Sequence, residues 1–183
     1  MDKRILTVPN QLTFLRMGFL PFFIIAIHYD RYDWAMGILL VAGLSDALDG
    51  LLARRLNQRS PLGAYLDPIA DKLLLSSSYL VLALKKKIAF WLAIIVLGRD
   101  VLILVACAAI LLVVGYRPFP PSLVGKATTG FEILLVFLVI LNAVMPRPEL
   151  QKVCGVGAYV VAFFAIFSGV YYSVAVARRL SSE

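Results

Sequence analysis

Histidine, cysteine and charge are all scarce in this chain of 183 residues, which has one histidine, two cysteines and 16% charged residues. A lone His28 has no second ligand of its kind, so a histidine-based metal centre is excluded. Cys107 and Cys154 lie in or beside apolar runs with no CxxC spacing, which excludes a disulfide framework or a thiolate zinc site. They read as small core residues. There is no internal repeat, no low-complexity tract and no polar stretch long enough for a domain outside a membrane. Lys3 and Arg4 precede an apolar stretch, as in a signal peptide. However, Arg16 interrupts that stretch and no small-x-small cleavage site follows it, so an uncleaved first helix is expected.

Apolar sequence is abundant. Hydrophobic residues make up 61% of the chain, and the mean hydropathy is +0.89. A soluble domain runs nearer half apolar. The composition therefore predicts a polytopic membrane protein, one all-α domain over residues 1–183. The net charge is +7. The basic residues stand mostly between apolar runs, so anionic membrane lipids, and not nucleic acid, are the expected partner.

Six apolar runs are legible, at residues 12–27, 34–53, 66–84, 88–114, 123–144 and 153–177. A spanning helix needs about 20 such residues, so six transmembrane helices are expected. Residues 1–11 are expected to form a short interfacial helix. Six spans put both termini on one side. That side would hold Lys3, Arg4, Arg54, Arg55, Arg59, Arg117, Lys126, Arg178 and Arg179. The bias favours termini in the cytoplasm, although Lys85, Lys86 and Lys87 fall on the opposite side.

Charges inside apolar helices are costly and usually functional. Asp46 and Asp49 stand three apart near the end of the second run, and Asp67 and Asp71 four apart in the third. Each pair projects from one helix face. Gly50 and Ala53 fall near the face of Asp46 and leave room for a ligand against the backbone. Four carboxylates converging in a low-dielectric site need a counter-charge. An oxygen-only donor set suits Mg²⁺, Mn²⁺ or Ca²⁺. A pair of such ions would flank a phosphate ester or anhydride. On these residues alone, a cation or proton pathway remains open as a rival.

The run Asp46-x-x-Asp49-Gly50-x-x-Ala53-Arg54, eight residues, Gly63-x-x-x-Asp67-x-x-x-Asp71 resembles the complete motif of the CDP-alcohol phosphatidyltransferases. The six-helix layout is similar to that family along the whole chain. The resemblance implies a membrane enzyme that moves a phosphatidyl group from CDP-diacylglycerol to an alcohol and releases CMP. It implies that Asp46, Asp49, Asp67 and Asp71 hold two divalent cations, Mg²⁺ or Mn²⁺, and that Asp71 is also the general base. Gly50, Ala53, Arg54, Ser60 and Gly63 would line the CDP site, with Arg54 on the diphosphate. Asn10, Thr13 and Arg16, in a second recurring run, would border the nucleotide. A homodimer in a bacterial inner membrane, with its active site facing the cytoplasm, is implied as well.

The acceptor is written outside the motif. The opening residues 8–16, the segment Leu66 to Lys72 and Gly125-Lys126-x-x-Thr129 resemble phosphatidylglycerophosphate synthases. They make glycerol 3-phosphate the expected acceptor, giving phosphatidylglycerophosphate, with Arg99 and Lys126 expected on its phosphate and phosphatidylglycerol as the alternative. Arg99-Asp100 and Asn57-Gln58-Arg59-Ser60 look more like eukaryotic-type cardiolipin synthases, whose acceptor is phosphatidylglycerol. Glu132 stands near a position where both subfamilies often carry Gln. A plain interhelical ion pair is the alternative reading of Arg99, Asp100, Lys126 and Glu132.

Overall fold

A computed structural model describes the backbone of residues 8–56, 61–113 and 123–180, and the side chains of 15, 17–45, 72–105 and 124–174. Among these residues the protein is all-helical: α1 (Val8–His28), α2 (Tyr32–Leu56), α3 (Pro61–Leu84), α4 (Phe90–Val113), α5 (Leu123–Val144) and α6 (Pro148–Leu180). The six expected apolar runs each fall on one helix. Residues 8–11, expected in an interfacial helix, form the first turn of α1, and residues 1–7 lie outside the described residues.

The helix ends follow local chemistry. Pro61 opens α3 and Pro148 opens α6. Proline suits the first helical position because its missing N–H would have no intrahelical partner there. α1 and α3 end alike. Asp30 and Lys86 adopt left-handed backbone, each with φ 57°. Arg31 N then donates to Ala26 O at 2.8 Å, and Lys87 N to Leu82 O at 2.9 Å. These bonds close carbonyls that the last helical turn leaves unpaired.

The two turns are also tied to each other. Lys85 Nζ meets Asp30 Oδ2 at 2.9 Å, and this bond holds the exposed Asp30 carboxyl below its usual range. Lys87 sits 5.0 Å from the Tyr32 ring centre. Lys85 and Lys87, which run against the charge bias, therefore serve to join the α1–α2 and α3–α4 turns.

α1 packs against α2 and α3. α3 packs against α4 and α5, α5 against α2 and α6, and α6 against α4. The core runs down the middle, with Phe23, Ile27, Tyr79, Leu82, Val96 and Ile140 buried. The outer faces stay apolar: Phe22, Leu104, Val156 and Phe163 are all exposed. Such a surface suits lipid and would be a liability in water. α5 and α6 each contain a run long and apolar enough to cross a membrane, Val124–Val144 and Pro148–Val174.

One close approach depends on a missing side chain. A Cβ at Gly157 would lie 3.1 Å from Leu135 Cδ1, and Leu135 is buried. Gly157→Ala should be near neutral in thermal unfolding, because reduced backbone freedom offsets the squeeze. Gly157→Leu should overpack the α5–α6 contact and cost about 1–3 kcal/mol. Equal melting of the two variants would show that the contact is loose.

Candidate active site

The aspartate pairs occupy matching ends of consecutive helices. Asp46 and Asp49 lie in the second half of α2, and Asp67 and Asp71 in the first half of α3. Only residues 57–60 separate the two helices. Gly50, Ala53 and Arg54 ride on the same end of α2, and Gly63 on the start of α3. Asn10, Thr13 and Arg16 lie in the first turns of α1, which packs against both. The side chains of all these residues lie outside the described residues, as does Ser60 altogether. The backbone thus gathers the motif at one end of the bundle. Its donor set, four carboxylates, has the chemistry of a site for hard divalent cations. Among the described residues there is no further group of three or more His, Cys, Asp or Glu that could hold a metal.

A second polar constellation lies among the described side chains. The Asp100 carboxylate is its centre. Oδ1 accepts from Arg99 Nη1 at 2.7 Å and also from the Lys72 ammonium, and Oδ2 accepts from Ser76 Oγ at 3.3 Å. Arg99 Nη2 continues to Ser168 Oγ at 3.2 Å. The chain of contacts links α3, α4 and α6.

From α5, Glu132 lies within electrostatic reach of Arg99, Asp100 and Lys72. Its side chain is fully buried, and both carboxylate oxygens lack a hydrogen-bond partner among the described residues, as does Arg99 Nε. Tyr79 Oη donates to the Glu132 backbone carbonyl at 3.1 Å, which pins α5 to α3. The Asp100 carboxylate thus meets two cations within the bundle, where unpaired charges would be expensive.

This arrangement sorts the residues singled out above. Arg99 is buried and engaged by Asp100 and Ser168. Lys126 is exposed near the start of α5, and no hydrogen bond or ion pair among the described residues joins it to Arg99. The interhelical ion pair is present, but it runs from Asp100 to Lys72. Lys72, Ser76 and Ser168 were not singled out by sequence reasoning. The four-residue spacing of Lys72 and Ser76 places both on one face of α3, and that was the available signal.

Beside the cluster, α2, α3 and α5 leave a groove of about 630 Å³. Leu40, Gly43, Leu74, Gly130 and Phe137 line it together with Lys72. Leu40, Leu44, Ile133 and Leu134 are exposed along it, so it opens on the outer face of the bundle.

A sequence model described as CDP-alcohol phosphatidyltransferase matches residues 6–170. The chain belongs to the CDP-alcohol phosphatidyltransferase family. It is 38% identical over 144 residues to a cardiolipin synthase (CMP-forming) of Streptomyces coelicolor, covering 75% of this chain and 66% of that protein. It is 33% identical over 150 residues to the human cardiolipin synthase (CMP-forming), covering 71% of this chain and 48% of that protein. A CDP-diacylglycerol–glycerol-3-phosphate 3-phosphatidyltransferase of Pseudomonas fluorescens is 39% identical over 105 residues, covering 54% of this chain and 53% of that protein. The chain spans just under two thirds of the length of the Streptomyces relative and about half that of the other two.

Proposed function

We propose that this protein transfers the phosphatidyl group of CDP-diacylglycerol to phosphatidylglycerol, giving cardiolipin and CMP. The observation that carries the choice of acceptor is the charge balance around Asp100. Glycerol 3-phosphate bears a phosphate close to doubly charged and needs surplus fixed cations to offset its desolvation. Arg99, the deeper of the two cations expected to serve it, is already held by Asp100 and Ser168, with Glu132 opposite. The likeness to proteins named cardiolipin synthase over about three quarters of the chain supports the same reading.

In this reading all six helices span the membrane, and the motif end faces the cytoplasm of a bacterial inner membrane, where the anionic nucleotide enters. The protein works as a homodimer. Asp46, Asp49, Asp67 and Asp71 hold two divalent cations, Mg²⁺ or Mn²⁺, which supply charge stabilisation on the phosphoryl oxygens. Arg54 binds the diphosphate. Gly50, Ala53, Ser60 and Gly63 shape the nucleotide site, and Asn10, Thr13 and Arg16 border it. The Asp71 carboxylate takes the proton of the acceptor hydroxyl. The freed oxygen forms a bond to the phosphatidyl phosphorus, and the bond from that phosphorus to CMP breaks. Lys126 meets the acceptor headgroup at the membrane surface, and Arg99 acts from behind, through Asp100.

The test supplies the purified full chain with CDP-diacylglycerol, Mg²⁺ and one acceptor at a time. CMP and cardiolipin are expected with phosphatidylglycerol, and no lipid product with glycerol 3-phosphate alone. Phosphatidylglycerophosphate formed from glycerol 3-phosphate, with phosphatidylglycerol inert, would overturn the acceptor. Cation flux through proteoliposomes, with no CMP from any acceptor, would overturn the transferase reading itself.

A further inference from the structure

The groove between α2, α3 and α5 is apolar along its length except near Lys72, Ser78 and Thr129. Its volume is that of ordinary small-molecule sites, about 300–1,000 Å³. Ser78 Oγ already donates to Leu74 O at 2.6 Å, which leaves no free proton there. Lys72 differs. An ammonium has three N–H donors, and Asp100 is its one ion-pair partner among the described residues. The Lys72 side chain is 32% exposed, against 6% for Asp100. Asp100 therefore takes one of the ammonium's donors, and the part-exposed Lys72 side chain borders the groove. With Arg99 and Asp100 paired behind it, the groove presents one cation at the edge of an apolar trough. A singly charged phosphodiester joined to acyl chains matches that shape and charge.

We propose that this groove seats an acyl chain of the acceptor lipid, with the Lys72 ammonium on its phosphodiester. The inference rests on the reading that phosphatidylglycerol is the acceptor. Two features assign the groove to acceptor and not donor. Lys72 directly follows Asp71, the residue that takes the acceptor proton in that reading. The donor's diphosphate carries more charge than one half-committed lysine offsets, and in that reading it has Arg54 and the aspartate-held cations to meet it. Acyl chains gain little by leaving the bilayer for an apolar protein surface. The groove accordingly orients the acceptor, so that its glycerol hydroxyl faces Asp71.

Two glycines make the groove testable. A Cβ at Gly43 or Gly130 would meet nothing within 4 Å, so Gly43→Leu and Gly130→Leu should fill the trough without displacing backbone. In neutral-lipid nanodiscs with titrated phosphatidylglycerol, Gly130→Leu and Lys72→Gln should raise the KM for phosphatidylglycerol by roughly 10–100-fold. The KM for CDP-diacylglycerol should stay within about twofold. Lys72→Arg, which keeps the cation, should recover most of the loss. Mass spectrometry should find less phosphatidylglycerol retained on Gly130→Leu after detergent extraction.

An unchanged KM for phosphatidylglycerol in both Gly130→Leu and Lys72→Gln, with cardiolipin still made, would overturn the groove assignment and leave the function standing. A raised KM for CDP-diacylglycerol alone would give the groove to the donor and overturn the proposal. Wild-type turnover of glycerol 3-phosphate with phosphatidylglycerol inert would remove the premise, and the proposal would fall with it.

Discussion

Asp71→Asn should lower kcat by roughly 10²–10⁴-fold, the usual contribution of a positioned general base. The acceptor oxygen is a poor nucleophile while it keeps its proton, and an amide cannot take that proton. Affinity for the CDP-lipid should change far less, because Asp46, Asp49 and Asp67 remain. In the same reading those three hold the cations with Asp71 but take no proton. Asp→Asn at any of them replaces a charged oxygen ligand by a weaker neutral one, so Mn²⁺ binding followed by paramagnetic resonance should weaken along with turnover. An Asp71→Asn enzyme that loses lipid binding and keeps its chemical rate would make Asp71 a binding residue. Full activity of Asp46→Asn at limiting Mg²⁺ would contradict a site built on two metal ions.

The second large effect is on stability. Asp100→Leu should destabilise the detergent-solubilised protein by about 3–5 kcal/mol, the typical result of removing one partner of a buried ion pair. Arg99 and Lys72 both turn to this carboxylate, and its loss would strand two cations inside the bundle, with only Glu132 to offset them. Lys72→Met added to Asp100→Leu should recover part of the loss, because the methionine fills space without demanding a counter-charge. Chemical denaturation monitored by circular dichroism measures both variants. An Asp100→Leu protein as stable as wild type would show that water or lipid headgroups already neutralise the cluster.

The helices were legible because bilayer thickness and 3.6-residue periodicity leave few choices for long apolar runs. The run at 153–177 was read five residues late, since Glu149, Gln151 and Lys152 look like loop. α6 nevertheless begins at Pro148, where proline fits the first turn and Glu149 complements the positive helix end. The aspartate motif was legible for a different reason. The type and spacing of its carboxylates along two helices are written in local sequence, and the family model covers both helices.

Partnership between helices is not written locally. Lys72 and Asp100 are 28 residues apart, and Arg99 and Ser168 are 69 apart. Nothing in either local stretch says which residue of which helix faces the other. Arg99 and Lys126 looked alike as stray intramembrane cations. Packing buries the first between α3, α4 and α6 and leaves the second exposed near the start of α5. Residue order along the chain was enough to place the six helices and point to the family, since each depends on periodicity or short spacing. Which charges cancel, and which lysine is left facing an open groove, depended on the packing of α2, α3, α4, α5 and α6. In a low-dielectric interior, the nearest opposite charge decides whether a cation is structural or available to a ligand.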